Sequence, residues 1–219
     1  MQILLSSDKE YVGALHLHKD VSENLIRKAV KEFIGKQTQL PPKKSAVARR
    51  ERVREVYNLE ILDIENRNVL FKIHTEAGFY VRRFAEQFGK SLGVGSHLQE
   101  LRRIRSGSFT EEITINLQKI IDNLDDEKEL RKIILPMESA LQKVKKVLIS
   151  DSTINSISHG SPLYVPGILR VEDDINKEEW VAMLTGFGEL IGVGIAKMNS
   201  QEMIKGKKGV AVKTDIVVI

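Results

Sequence analysis

Cysteine is absent from this chain of 219 residues, which excludes disulfides and thiolate metal sites and fits a reducing interior. No apolar run approaches the ~20 residues that a membrane-spanning helix needs. The opening stretch MQILLSSDKEYV lacks the basic region followed by a long apolar segment that marks a secretion signal. Internal repeats, low-complexity segments and nucleophilic serine or cysteine motifs are also missing. The Gly-Val-Gly triplets at Gly93 and Gly192 have neither the glycine spacing nor the strand-to-helix context of a phosphate loop, and read as turns. His16 and His18 stand two apart, yet no carboxylate or third histidine stands at matching spacing, so they read as surface histidines rather than metal ligands. What remains is a soluble composition, 42% hydrophobic, enough for the cores of one large or two small domains.

The net charge is +4, and it is unevenly spread. Lys43, Lys44, Arg49, Arg50, Arg52 and Arg54 crowd one segment, and Arg82, Arg83, Lys90, Arg102, Arg103 and Arg105 another. Acid gathers later, at Asp122, Asp125, Asp126, Glu127 and Glu129, and again at Glu172, Asp173 and Asp174. A run of charge is usually a solvated face. These basic runs hold little compensating acid, however, and a positive surface of that kind suits a polyanion, nucleic acid above all.

Along the chain, Lys9–His18 alternates as a strand, with Leu15 and Leu17 on one face and Val12, Ala14, His16 and His18 on the other. A helix is predicted from the cap Ser22 through Leu25, Ile26, Ala29, Val30, Phe33 and Ile34, ending at Gly35. Gln39-Leu40-Pro41-Pro42 is a break, followed by an extended arm and strand over Ser45–Ile64. Glu65-Asn66-Arg67-Asn68 reads as a hairpin turn, with Val69–His74 as the returning strand. Val81, Phe84, Ala85, Phe88 and Leu92 then recur at helical spacing, and a strand over Leu98–Arg105 is expected to set Leu101, Arg103 and Arg105 on one side and Arg102 on the other. Short helical pieces follow over Asn116–Leu141. The rest reads as a small β-rich module, with strands at Val144–Ile149, Trp180–Leu184, Leu190–Met198 and Val210–Val218 and one short helix after Asp151.

Arg82 and Arg83 stand in the first turn of the helix after Gly78, where the helix dipole makes a cation cost roughly 0.3–1 kcal/mol at an exposed site. Either they meet carboxylates on a neighbouring element, or the rule is broken for function. Tyr11, Tyr80, Arg82 and the strand Leu101-Arg102-Arg103-Ile104-Arg105-Ser106-Gly107 together offer rings and guanidinium groups suited to stacking on an extruded base and binding its phosphates.

Several segments carry a resemblance: Lys9-Glu10-Tyr11-Val12, Pro41-Pro42-x-x-Ser45-Ala46-Val47, Gly78-x-Tyr80-Val81-Arg82 and GVGSHLQELRRIRSG from Gly93 to Gly107. In this order they resemble the TruB branch of RNA pseudouridine synthases, and KEYVGALHLHKDV, PPKKSAVARRERVREVY and ILPMESAL resemble its archaeal and eukaryotic dyskerin-type members, the catalytic subunits of H/ACA guide-RNA particles. The resemblance spans essentially the whole chain. It implies an α+β fold: part of a synthase catalytic domain over residues 1–115, a largely antiparallel sheet with flanking helices, then a helical connector over 116–143 and a small β-barrel-like PUA domain over 144–219. It implies uridine isomerisation in tRNA or rRNA without cofactor or metal. RNA (guide RNA, rRNA, tRNA) and the small accessory proteins of the particle are the implied partners, in the cytoplasm and away from any membrane.

Carried over residue by residue, Tyr11 matches the tyrosine that stacks on the target uracil, Tyr80 lines that pocket, Arg82 pairs with the nucleophilic aspartate, and Leu101 packs beside the flipped nucleotide. RNA contacts are expected at Lys43, Lys44, Arg49, Arg50, Arg52 and Arg54 on the arm, at Arg102, Arg103 and Arg105, and at His159, Gly160, Leu163, Pro166 and Gly167 in the PUA signature loop. Two departures stand out. Phe79 replaces a usual threonine, and the Gly-x-Leu-Asp-Pro segment that carries the aspartate occurs nowhere in residues 1–219. Asp8 lies on the approach to the first strand, not in the required loop. The expectation is that this is the downstream part of an interrupted gene, because Tyr11 and Arg82 remain in place to serve an aspartate; the alternative is an RNA-binding remnant.

Overall fold

Residues 2–41, 48 and 50–218 are described by the computed structural model, and the chain divides into two compact units, Met1–Thr114 and Ile115–Ile219. In the first unit, α1 (Gln2–Ser6) leads into β1 (Lys9–Leu17), α2 (Glu23–Ala29), β2 (Gly35–Gln39), β3 (Arg52–Glu65), β4 (Asn68–Thr75), α3 (Val81–Ser91), β5 (Ser96–Ser106) and the two-residue β6 (Phe109–Thr110). The strands form one antiparallel sheet in the order β2-β3-β4-β1-β5-β6. The alternation read along β1 has its physical result here. Gly13, Leu15 and Leu17 are buried on one face, and Tyr11 packs against the same core.

The amphipathic stripe of α3 covers that face. Phe84 is 1% exposed, and its ring lies 5.3 Å from Phe71 and 5.4 Å from Phe33, within the range in which aromatic pairs attract. Burying one such ring contributes roughly 1.5–3 kcal/mol. Gly89 lets the helix close on the sheet, since a Cβ there would meet the Ser96 backbone nitrogen at 2.3 Å. Ser96 also donates its hydroxyl to the Ala85 carbonyl. Phe79, which stands where a threonine was expected, is buried among the same rings.

The periodicity gives no sign of β2. Its sequence, GKQTQ, has no apolar alternation, and it forms because its backbone pairs with β3 from Gly35↔Val56 to Gln39↔Arg52. Gly35 does end the preceding helix, at φ +94°, but the chain turns straight into this strand. The predicted helix from Ser22 is shorter than expected: α2 stops at Ala29 and tightens into a 3₁₀ turn over Val30–Phe33.

Strand β5 departs from simple alternation. Opposite β1 the pairs run Leu17↔Ser96, His16↔His97, Leu15↔Leu98, then Ala14↔Glu100 to Tyr11↔Arg103, then Glu10↔Arg105, so Gln99 and Ile104 are bulged out of register. A bulge transfers every later side chain to the other face. Leu101 and Arg103 therefore share the α3 face with Gly13 and Tyr11, whereas Arg105 joins Arg102 on the reverse face. The expectation that Arg105 lies beside Arg103 is corrected by the bulge at Ile104.

In the second unit, α4 (Leu117–Ile121), α5 (Glu127–Ile133), β7 (Lys145–Ile149), α6 (Asp151–Ser158), β8 (Leu163–Tyr164), β9 (Ile168–Val171), β10 (Trp180–Leu184), β11 (Leu190–Ala196), α7 (Ser200–Lys205) and β12 (Val210–Val217) follow in turn. Six strands pair in the order β8-β12-β11-β10-β7-β9, with β7 and β10 parallel and the remaining pairs antiparallel. The core holds Val147, Ile149, Ile157, Leu163, Val181, Met183 and Ile191. Asn199 and Glu202 form a reciprocal capping box on α7. Among the described residues no helix is long and apolar enough to cross a membrane.

Candidate active site and RNA-binding surface

Tyr11 sits on a central strand, flanked by Ile73 of β4 on one side and Arg103 of β5 on the other. One rung along, Leu101 lies opposite Gly13, where a Cβ would meet Leu101 Cδ1 at 3.1 Å and Phe71 Cζ at 2.7 Å. Only glycine leaves room for those side chains to close over the strand. Tyr11, Leu101 and Arg103 are thus brought together on the sheet face that α3 covers. Leu101 and Arg103 are exposed, and Arg103 has no ion pair among the described residues.

Tyr80 and Arg82 stand at the amino end of α3. Tyr80 occupies the N-cap position with extended backbone and makes no side-chain cap, and the first turn holds no acid. Arg82 and Arg83 take different roles. Arg83 donates Nη1 to Glu86 at 2.5 Å and Nε to the Leu40 carbonyl at 3.2 Å, so its charge is used within the fold. Arg82 is exposed, with no ion pair or hydrogen bond among the described residues.

Turned away from α3, a second cluster uses its charges fully. Arg105 Nη2 lies 2.8 Å from Asp8 and 3.0 Å from Glu10 Oε1, while its Nη1 donates to the Gly107 carbonyl at 2.8 Å. His74 Nε2 approaches the same Asp8 oxygen at 2.7 Å, and Lys72 reaches Glu10 at 3.4 Å. Burial alone would raise the Glu10 carboxyl, but the hydrogen bond and charge of Arg105, with Lys72, outweigh it and hold the group below its ordinary range. Burial likewise works against the Arg105 cation, and Asp8 and Glu10 overcome it, raising its pKa. Burial, then Glu76, Glu55 and Asp8, push up the nearby Tyr57 phenol, whose ring lies 4.8 Å from His74. Asp8 is therefore committed on the reverse side of the sheet from Tyr11.

The remaining basic residues divide in the same way. Arg54 pairs with Glu76 at 3.0 Å, and Arg102 with Glu111 at 2.5 Å. Arg50 is exposed, and Arg52 is half-buried on β3 opposite Gln39. Lys43, Lys44 and Arg49 lie outside the described residues. In the second unit, His159 and Gly160 are exposed just after α6, His159 Nδ1 lying 2.7 Å from the Asn155 carbonyl, and Pro166 is exposed in a 3₁₀ turn. Leu163, by contrast, is 1% exposed and belongs to the core. Gly167 is a packing glycine, since a Cβ would meet Thr153 Cγ2 at 2.4 Å. Neither has a side chain to offer RNA: one fills the interior, and the other is small so that α6 can approach.

Two residues of interest escaped the sequence reading. Tyr164 is an exposed ring on the same loop. Gln39 is a buried amide facing the Tyr80 peptide. Its only sequence signal is the Pro-Pro pair that follows it, which marks where the strand must stop. Among the described residues no group of three or more histidine, cysteine or carboxylate side chains suits a metal ion.

Tyr11 beside an exposed arginine on one antiparallel sheet, a second exposed arginine at a helix terminus and a separate small β-rich unit define an α+β chain of two domains. Residues 1–81 match the N-terminal domain model of the TruB family of pseudouridylate synthases, residues 82–142 the C-terminal domain model of tRNA pseudouridylate synthase B, and residues 145–218 the PUA domain. The chain belongs to the TruB family of pseudouridine synthases, with a PUA domain at its C-terminal end.

It is similar to the probable tRNA pseudouridine synthase B of Nanoarchaeum equitans, 44% identical over 218 residues, covering 97% of this chain and 63% of the relative. The protein of the same description from Pyrococcus horikoshii is 46% identical over 222 residues, covering 98% and 66%. Among solved structures it resembles a chain in a Cbf5-Nop10-Gar1 complex, with a TM-score of 0.92 and 45% identity, covering 99% of this chain and 68% of that one. A second match is a chain in an H/ACA ribonucleoprotein bound to a substrate RNA containing 2'-deoxyuridine, with a TM-score of 0.90 and 42% identity, covering 100% and 68%. The chain thus spans 63% and 66% of the length of these two curated relatives.

Proposed function

We propose that this protein isomerises uridine to pseudouridine, in the TΨC loop of tRNA, in rRNA or in both, as the catalytic subunit of an H/ACA guide-RNA particle. The observation that carries this reading is the placement of Tyr11, Leu101 and Arg103 on adjacent rungs of one sheet face, with Arg82 exposed and without an ion partner among the described residues at the end of the helix that covers it. In the reaction the bond from N1 to C1′ breaks, the uracil turns, and C5 bonds to C1′, releasing the C5 proton while N1 gains one. Tyr11 stacks on the extruded base, Tyr80 and Leu101 line its pocket, and the cation of Arg82 keeps the attacking carboxylate ionised by opposite charge. That carboxylate is not present in its motif within residues 1–219.

Arg50, Arg103 and the exposed His159, Gly160 and Pro166 are the proposed RNA contacts, supported by their exposure and, for Arg103, by the lack of an ion pair among the described residues. Guide RNA, substrate RNA and small accessory proteins are the proposed partners, by analogy with the assemblies of the structural relatives, and the cytoplasm the proposed location. No cofactor enters this chemistry.

The second reading, an RNA-binding protein without catalysis, is favoured by one observation: Asp8, on the approach to the first strand, is tied up on the reverse face. Uridine tritiated at C5 and incorporated into transcribed tRNA separates the two. The purified 219-residue chain is expected to bind this RNA, less tightly as salt rises, and to release no tritium. Joined to a segment carrying Gly-x-Leu-Asp-Pro, it is expected to release tritium in step with pseudouridine. Turnover by the chain alone overthrows the placing of the nucleophile outside it. Binding without turnover in the completed form leaves the second reading.

A further inference from the structure

The amino end of α3 is a poor helix terminus by every local criterion. It carries two arginines where the dipole is positive, it has no acid in its first turn, and its N-cap residue, Tyr80, makes no side-chain cap. Left to itself this turn should fray, carrying Tyr80 and Arg82 with it.

The compensation comes from another strand. Gln39, the last residue of β2 and 2% exposed, accepts the Tyr80 backbone N–H at Oε1 (2.8 Å) and donates Nε2 to the Tyr80 carbonyl (3.2 Å). A planar amide that meets both polar groups of one residue acts like an extra rung of sheet, fixing position and orientation together. The same Tyr80 carbonyl also accepts the Phe84 N–H at 3.0 Å, the first intrahelical bond, so the clamp and the helix start share an atom. Further bonds follow along the strand: Arg83 to the Leu40 carbonyl at 3.2 Å and Gln87 to the Thr38 carbonyl at 3.2 Å. Behind the turn, Glu76 receives Arg54 and the Glu55 N–H, each at 3.0 Å.

We propose that Gln39 is a positioning residue: its side-chain amide, supplied by β2, holds the under-capped start of α3 so that Tyr80 and Arg82 stay where RNA and the attacking carboxylate meet them. The role in chemistry rests on the uridine-isomerisation reading; the clamp itself does not. Both bonds of the Gln39 amide are to the Tyr80 backbone, so Gln39 acts on Tyr80 and Arg82 by fixing the main chain that carries them. The chain thereby avoids an acidic cap, which would compete for Arg82.

The test uses Gln39→Met, which keeps length and burial but removes both bonds, and Gln39→Glu, which keeps an acceptor for the Tyr80 N–H and donates to the carbonyl only when protonated. Amide hydrogen exchange of the 219-residue chain is followed by NMR. Gln39→Met is expected to speed exchange at Tyr80 and through Phe84 by about tenfold or more, with residues 85–91 little changed, because a lost buried hydrogen bond of this kind is worth about 1–3 kcal/mol. Gln39→Glu is expected to recover protection as pH falls. In the completed protein, single-turnover tritium release at saturating RNA should fall about 10–100-fold in Gln39→Met, as a small misplacement of reacting groups requires, while RNA affinity stays near wild type and the thermal midpoint drops by only about 2–10 °C, leaving the protein folded at the assay temperature.

Unchanged exchange at Tyr80 in Gln39→Met overturns the clamp. Faster exchange with an unchanged single-turnover rate overturns the positioning role and leaves the isomerisation reading standing. If the wild-type completed protein releases no tritium, that reading is what fails, and the exchange result still decides the clamp.

Discussion

On the sheet face that α3 covers, Arg103 lies opposite Tyr11, and neither it nor Arg82 at the end of the helix has an ion pair among the described residues. On the reverse face, two residues further along β5, Arg105 is 18% exposed and satisfied by two carboxylates and a carbonyl, with His74 and Lys72 completing the network. The two arginines of one short strand have been given opposite tasks. Where a cation is fully paired within the fold it contributes stability and has little field left for RNA. Where it is left exposed and unpaired it contributes nothing to the fold and is available to an anion. A count of basic residues does not distinguish these cases.

The contrast is broken most sharply by Arg82→Ala. In the completed protein, single-turnover pseudouridine formation is expected to drop about 10²–10³-fold, the range for removing one preorganised charge-stabilising group, with RNA affinity and melting temperature little changed. Normal turnover would sink the pairing of Arg82 with the nucleophile.

Arg105→Ala should do the reverse. It leaves Asp8 and Glu10 poorly compensated in a half-buried site, and a loss of about 2–3 kcal/mol in urea unfolding of the whole chain is expected, with RNA affinity nearly kept. The acid limb gives an independent check. The folded pKa of Glu10 lies below the ordinary glutamate value, so its contribution is complete above the unfolded value and is lost as pH falls through the lower, folded one. Wild type should therefore lose stability below about pH 4.5 more steeply than Glu10→Gln.

The smallest effects compare two neighbours on β5. Arg103→Ala should weaken RNA binding and reduce the salt slope by about 1, leaving unfolding unchanged. Arg102 is 74% exposed and pairs with Glu111, and Arg102→Ala should cost about 0–1 kcal/mol in stability with a weaker effect on binding than Arg103→Ala. Equal binding losses at both positions would erase the distinction between the faces.

Much of this was legible before any coordinates. Alternation along β1 and the stripe Val81, Phe84, Ala85, Phe88 predict their elements and their buried faces, because a side chain's direction follows from local backbone period. Tyr11, Tyr80, Arg82 and Leu101 were readable as a set because their motifs occur in order. Strand β2 was not, since an edge strand of glycine, lysine, glutamine and threonine is made by its partner rather than by its own pattern. Nor was the burial of Leu163, which looks the same in sequence whether it faces RNA or the core.

The sequence by itself determined that no thiol chemistry is present, which segments form helices and strands, and that the motifs of a pseudouridine synthase family stand in order. Only the tertiary structure decided which cations are paired within the fold and which stand exposed without an ion pair among the described residues. The bulge at Ile104 turns Arg105 toward Asp8, Glu10 and His74, and the β1–β4–β5 register gathers residues from distant parts of the chain. The same holds for Gln39 and Tyr80, whose pairing depends on β2 ending beside α3. Local period fixes where a side chain starts; only long-range register decides what it meets.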